Sequence, residues 1–151
     1  MNNKNDLPYG THLTHLSKLK DYVGKEIGLT DWNLMTQEKI DSFAEVTEDF
    51  QWIHLDKKRA AKESPYKKTI AHGFLVLSMT SKITFEVYSF DDVTMGINYG
   101  LDKVRFPNAT PSGSFYRGRV SLIDYNDIPG GAKYKVKVVF ELKDMEKPAC
   151  V

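Results

Sequence analysis

Cysteine is nearly missing from this sequence: Cys150 stands alone. One thiol excludes an internal disulfide framework and makes a reducing compartment, the cytoplasm, the expected location. Charge of one sign is missing too. The 21 basic and 20 acidic residues leave a net +1, which lacks the basic excess of a dedicated nucleic-acid binder. With 41% hydrophobic residues, the composition of a disordered chain is excluded as well. The longest apolar run, around residues 73–79, is far short of the roughly 20 residues of a membrane span. No apolar stretch follows the polar residues 1–6, so no export signal is expected. Neither a Gly-x-Gly-x-x-Gly nor a Gly-Lys-Ser/Thr phosphate loop occurs, and no Gly-x-Ser-x-Gly elbow offers a nucleophilic serine. Internal repeats and linkers are also lacking. The 151 residues fit one domain, with polar residues 1–10, carrying Pro8 and Gly10, as a loose lead-in.

What is present divides into helical and strand-like patterns. Leu13, Leu16, Leu19 and Val23 recur at helical spacing and predict a short amphipathic helix, on which His12 and His15 fall as solvated or packing residues. Residues 28–34 read as a connector anchored by Trp32. Thr36 reads as the N-cap of a helix whose apolar stripe is Ile40, Phe43, Ala44 and Val46 and which runs out near Glu48. A short irregular stretch, residues 49–56, follows, and then a basic run over 57–68. Residues 74–87 are apolar on nearly all sides and predict one long buried helix. The last third alternates with period two. Tyr134, Val136, Val138, Phe140 and Leu142 predict a strand with one core face; residues 115–125 are its partner across a Pro129-Gly130-Gly131 turn, and residues 94–106 are another strand candidate, broken around Gly100. Helices first and strands afterwards predict an α+β domain.

Two features carry candidate chemistry. Asp49 and His54 sit five residues apart where a helix ends. A carboxylate and an imidazole on one loop can share a water, one group taking its proton while the other orients it. The same residues also fit a turn-forming aspartate and a satisfied core histidine. In Ala71-His72-Gly73-Phe74-Leu75, Gly73 opens the long helix, whose first amides have no intrahelical partner and whose dipole favours a developing oxyanion. Gly73 equally fits relief of crowding, and His72 a packing role. A zinc site from His54, Asp56 and His72 has the right ligand types, but the third ligand is distant and no redundant set exists, so no metal is expected.

In this order and spacing, Phe43-Ala44-Glu45-Val46-Thr47, Asp49, Ile53-His54 and Ala71-His72-Gly73-Phe74-Leu75 resemble the MaoC-like dehydratase branch of the hotdog superfamily, which includes the (R)-specific enoyl-CoA hydratases. Gln51-Trp52-Ile53-His54, Trp32, Asn98-Tyr99-Gly100, Val104-Arg105-Phe106 and Lys147-Pro148-Ala149-Cys150 are similar to the nodulation-protein-N-like subgroup. The resemblance implies a hotdog fold, a long central helix wrapped by a curved antiparallel sheet, and a homodimer or higher homo-oligomer. It implies Asp49 and His54 as the catalytic pair, the Gly73 amide as oxyanion donor, and Ser81 and His72 in support. Arg105, Lys57, Lys58 and Arg59 become candidate contacts for the phosphates of coenzyme A, though the basic run also fits a solvated loop. The implied reaction is syn addition or removal of water at C2–C3 of an acyl-CoA or acyl-carrier thioester, with coenzyme A only as part of the substrate, no other cofactor and no metal. A hotdog thioesterase, for which the central helix offers only Glu86, late in its length, and a non-catalytic thioester-binding protein are the alternatives.

The chain departs from the hydratase pattern at two places. Glu48 stands where those enzymes carry a glycine before the aspartate, and Gln51-Trp52 replace Asn-Pro. Because only glycine takes a left-handed backbone cheaply, the turn aiming Asp49 is expected to change. A second carboxylate beside Asp49 would also raise its pKa if both were shielded from water.

Overall fold

The structure, a computed structural model, describes residues 7–151. Its sheet is built on one long hairpin, β5 (Phe115–Ile128) and β6 (Gly131–Leu142), paired antiparallel from Tyr116↔Leu142 to Ile128↔Gly131. The connection is Pro129-Gly130, and Gly130 takes φ +78°, a conformation that glycine reaches without a Cβ clash. Along the other side of β5 lie two short strands in succession, β2 (Glu26–Leu29) opposite Arg119–Ser121 and β3 (Asn33–Leu34) opposite Phe115–Tyr116. A separate parallel pair joins β1 (Thr11–Leu13) to β4 (Tyr88–Phe90). The helices are α1 (Gln37–Thr47), α2 (Trp52–Leu55), α3 (Lys57–Glu63), α4 (Gly73–Ser78) and α5 (Thr80–Val87), with a 3-10 turn over Leu16–Tyr22.

Period two works here as the sequence predicts. Tyr116, Gly118, Val120 and Leu122 face the same side of the sheet as their partners Leu142, Phe140, Val138 and Val136, and this face packs on Leu75, Val76, Ile83 and Val87 of α4 and α5. The contact is close. A Cβ on Gly118 would lie 2.3 Å from Ile83 Cγ2, and one on Gly28 would lie 2.3 Å from Val87 Cβ. Overpacking of this kind costs about 1–3 kcal/mol. Gly118→Val is therefore expected to lower the urea midpoint by an amount near the upper end of that range with an unchanged m-value; an unchanged midpoint would show that α5 yields freely.

The reverse face of the hairpin is not simply wet. Glu141, on the solvent side by alternation, is buried, as is its cross-strand partner Arg117. Glu141 accepts from Arg117 Nε at 2.7 Å and from Arg119 Nε at 2.8 Å, and Arg119 also pairs with Glu26. The Trp32 ring lies 4.5 Å from the Arg117 guanidinium, so the anchoring expected of Trp32 is a cation–π contact.

Several sequence readings need correction. The helix expected through Leu13, Leu16 and Leu19 is instead strand β1 followed by the 3-10 turn, whose three residues per turn serve the same leucine spacing. His12 and His15 thus sit on different elements, facing Asp91 at 3.2 Å and Asp92 at 3.4 Å at the surface. The connector 28–34 contains β2 residues and β3. Residues 94–106 form no strand: Met95, Ile97, Tyr99 and Leu101 are exposed, and Arg105 exchanges backbone hydrogen bonds with Val151. Val46, placed on the buried stripe of α1, is exposed. The single helix over 74–87 is two segments that meet at Met79 (ψ −8°). There the hydroxyls of Ser78 and Thr80 bond back to the Phe74 and Leu77 carbonyls and loosen the helical ladder. Nor is it buried all round, since Phe74 and Phe85 are 69% and 84% exposed. Of the lead-in, residues 1–6 lie outside the described residues, and Tyr9 exchanges backbone hydrogen bonds with Leu29. Among the described residues no helix is long and apolar enough to cross a membrane.

Candidate active site

The Thr36 hydroxyl caps α1 by accepting from the Lys39 amide, and the helix stops at Glu48, which takes the left-handed conformation (φ 58°, ψ 24°). A non-glycine residue holds this left-handed turn at a strain of roughly 1–2 kcal/mol. Both Glu48 and Asp49 are exposed, so the shielding that would couple their charges is absent. Glu48→Gly is expected to preserve the site and raise stability by up to about 1 kcal/mol, the relieved strain being partly offset by glycine's larger unfolded-state entropy. Thermal melting checks this, and a lowered melting temperature would contradict it.

Beyond this turn the Asp49 carboxylate accepts weakly from the Gln51 amide at 3.4 Å, and α2 carries His54 inward to 7% exposure. The His54 Nδ1 lies 2.7 Å from the Ile70 carbonyl. A carbonyl only accepts, so Nδ1 carries the hydrogen and Nε2 is left as the acceptor. Burial is the largest influence on His54 and pushes its pKa below the ordinary 6.5, assisted by the neighbouring His72; the Ile70 hydrogen bond and Asp49 oppose the shift.

His72 does more than fill a first turn. Its ring stacks on His54 with centroids 3.7 Å apart and leans against Phe43 at 5.1 Å. Its Nε2 donates to the Asp49 carbonyl at 3.1 Å and lies 3.9 Å from the Asp49 carboxylate, while its buried Nδ1 has no partner among the described residues. Asp49, His54 and His72 each place one polar atom within 4.8 Å of the others. These are the ligand types of a divalent metal, but the two rings lie only 27° from parallel. His54 Nδ1 and His72 Nε2 are also already turned to the Ile70 and Asp49 carbonyls, so the set fits a metal poorly. Asp56 is not part of it: its carboxylate caps α3 by accepting from the Arg59 amide at 2.9 Å.

Gly73 opens α4 directly after His72, as the sequence predicts. A Cβ there would lie 3.3 Å from the Phe106 ring, so the missing side chain lets that ring approach the Gly73 backbone. His54 and Gly73 both line a cavity of about 300 Å³, walled by Tyr66, Ile70, Val76 and Phe106 among others. The remaining candidates sit outside that lining. Ser81 is exposed on α5, where its carbonyl accepts the Thr84 hydroxyl. Lys57 and Lys58 are exposed on α3; Arg59 is paired with Glu63 at 2.8 Å and lies 4.2 Å from the Trp52 ring. Arg105 is exposed, its guanidinium turned back on the Val104 carbonyl. Glu86 pairs with Lys82. Sequence reasoning missed Gln37, a buried residue whose amide donates to the His54 carbonyl at 2.8 Å and accepts the Thr69 hydroxyl at 2.6 Å. A glutamine just after an N-cap, in front of an apolar stripe, was its only mark.

Over residues 18–142 the sequence matches the family described as MaoC like domain. The chain belongs to the MaoC-like family. Among curated relatives of this MaoC-like protein is 3-hydroxyacyl-thioester dehydratase Z of Mycobacterium tuberculosis, 42% identical over 130 residues, covering 85% of each chain. Nodulation protein N of Rhizobium leguminosarum bv. viciae is 40% identical over 142 residues, covering 91% of this chain and 87% of its own. A solved structure, described as a monoamine oxidase regulatory protein from Archaeoglobus fulgius, superposes with a TM-score of 0.72 at 23% identity, covering 94% of this chain and 92% of its own. The fold is the hotdog fold of MaoC dehydratases, with its sheet left open.

Proposed function

We propose that this MaoC-like protein adds water to trans-2-enoyl thioesters and removes it from (3R)-3-hydroxyacyl thioesters. The observation that carries the reading is the approach of Asp49 to His54 beside the cavity that Gly73 also lines. The 42% identical relative, named a 3-hydroxyacyl-thioester dehydratase, supports the substrate class.

In the hydration direction the thioester oxygen accepts the Gly73 amide, where the first-turn dipole stabilises the enolate that forms as water attacks C3. The water sits between Asp49 and His54 Nε2. One of them takes its proton, the O–H bond breaks as the C3–O bond forms, and a proton is returned to C2 on the same face. His54, held neutral by burial and with its hydrogen fixed on Nδ1, presents the lone pair this needs. Coenzyme A enters only as part of the substrate, and the chemistry calls for no metal. Lys57, Lys58, Arg59 and Arg105 are the candidate contacts for its phosphates, and exposed Ser81 the candidate support seen in some hydratases. The protein acts as a homodimer, a reading supported by the exposed apolar side chains Phe74, Phe85, Met95, Ile97 and Tyr99, which a second copy would cover.

The test is incubation with a short trans-2-enoyl-CoA, following loss of the conjugated chromophore and the chirality of the product. Formation of (3R)-3-hydroxyacyl-CoA supports the reading. Release of free thiol would instead make the protein a thioesterase, and thermal stabilisation by the ligand without product would make it a binder.

A further inference from the structure

We infer that Gln37 is a positioning residue, clamping the turn that carries His54 to the segment that leads into Gly73; this rests on the reading of His54 as an acid–base residue. The need for a clamp follows from local structure. Helix α2 has four residues, too few to hold itself, and nucleation theory makes such a turn marginal in isolation. Its position must come from elsewhere.

The side chain of Gln37 supplies it. Its Nε2 donates to the His54 carbonyl at 2.8 Å and to the Asp41 carboxylate at 2.7 Å, while Oε1 accepts the Thr69 hydroxyl at 2.6 Å. The orientation of the amide is set by its partners, because the carbonyl and the carboxylate can only accept. Gln37 and Thr69 are both buried, at 7% and 3% exposure. A buried amide is costly unless bonded, and here both ends are used. Thr69 precedes Ile70, whose carbonyl takes the His54 Nδ1 hydrogen and whose amide donates to Ile53. The same segment is pinned from outside by Ala71 to Thr110 and by Ser112 to Thr69, and it continues through His72 to Gly73. One glutamine therefore joins α1, the His54 turn and the approach to the oxyanion amide. Loss of this tie lets α2 drift and admits water to the His54 ring, which faces His72 and Asp49.

The experiment compares Gln37→Leu, Thr69→Val and Thr69→Ser with the wild-type protein. Two readouts are taken: kcat and KM for hydration of a short trans-2-enoyl-CoA, and the NMR titration of the His54 ring. A misplacement near 1 Å costs on the order of 10²-fold in rate, so Gln37→Leu and Thr69→Val are expected to lose roughly 10–100-fold in kcat with KM little changed. The His54 midpoint is expected to rise toward 6.5 as its burial loosens. Thr69→Ser, which keeps the hydroxyl, restores the rate and the midpoint. Unchanged kcat in folded Gln37→Leu, or a rate loss with a fixed His54 midpoint, would overturn the inference. If Gln37→Leu does not fold, Thr69→Val against Thr69→Ser decides it. A wild-type protein inactive on every enoyl thioester would defeat the proposed function alone, and the His54 titration would still decide the clamp.

Discussion

Replacing Asp49 with asparagine is expected to lower kcat by roughly 10²–10⁴-fold while leaving the melting temperature unchanged, because a general acid–base group is worth that much in rate. The Asp49 side chain is 53% exposed and its hydrogen bond from Gln51 is one an amide oxygen can also accept. His54→Ala is expected to lose rate on the same scale but also some stability, since it removes a buried ring stacked on His72 and hydrogen-bonded to Ile70. The two losses should not add in the double variant, because groups that act on one water fail together. The pH profile has a definite sign. His54 is held neutral in the folded protein below the pH at which it would protonate in the unfolded chain. The unfolded state therefore binds more protons as pH falls through about 6.5, and the contribution of His54 to stability, fully present above that pH, declines below it. The acid limb of kcat/KM should likewise fall below 6.5 if neutral His54 is the base. An acid limb above 6.5, or near-wild-type turnover in both single variants, would remove the pair from the mechanism.

The largest stability effect is expected far from that chemistry. Glu141→Gln keeps the shape of the side chain but takes the negative charge from between Arg117 and Arg119, the first of which is 2% exposed. Breaking a buried ion pair from one side costs about 3–5 kcal/mol, because a charge that was compensated stays in a medium that cannot solvate it. Urea unfolding should show a loss of this size, and a loss under about 1 kcal/mol would mean that the pair is solvated in solution. The cost falls on the hairpin against which α5 packs, so the candidate residues Asp49, just past α1, His54 on α2 and Gly73 on α4 should keep their geometry in the folded fraction.

These two predictions divide along what the sequence makes legible. The meeting of Asp49 and His54 was readable because its parts are local: a helix end, an aspartate and a histidine within six residues, and a His-Gly pair at a helix start. The hairpin was readable because period two is a local pattern as well. The ion network was not, since Arg117 and Glu141 are ordinary polar positions in an alternating strand until the register sets them opposite each other and Trp32 covers them. Gln37 and Thr69 escaped for the same reason, being 32 residues apart in the chain and joined only by folding. Residues 94–106 misled in the opposite sense, because their alternation is real but Met95, Ile97, Tyr99 and Leu101 stay exposed and no strand forms there. The bend at Met79 was hidden because hydrophobic periodicity is blind to hydroxyls that bond back to the helix.

The central claim is spatial, and a crystal structure with a (3R)-3-hydroxyacyl-CoA tests it most directly. The C3 hydroxyl is expected within hydrogen-bond reach of both the Asp49 carboxylate and His54 Nε2, with the thioester oxygen on the Gly73 amide. A thioester bound with its carbonyl away from Gly73, or a C3 hydroxyl touching neither side chain, would contradict it.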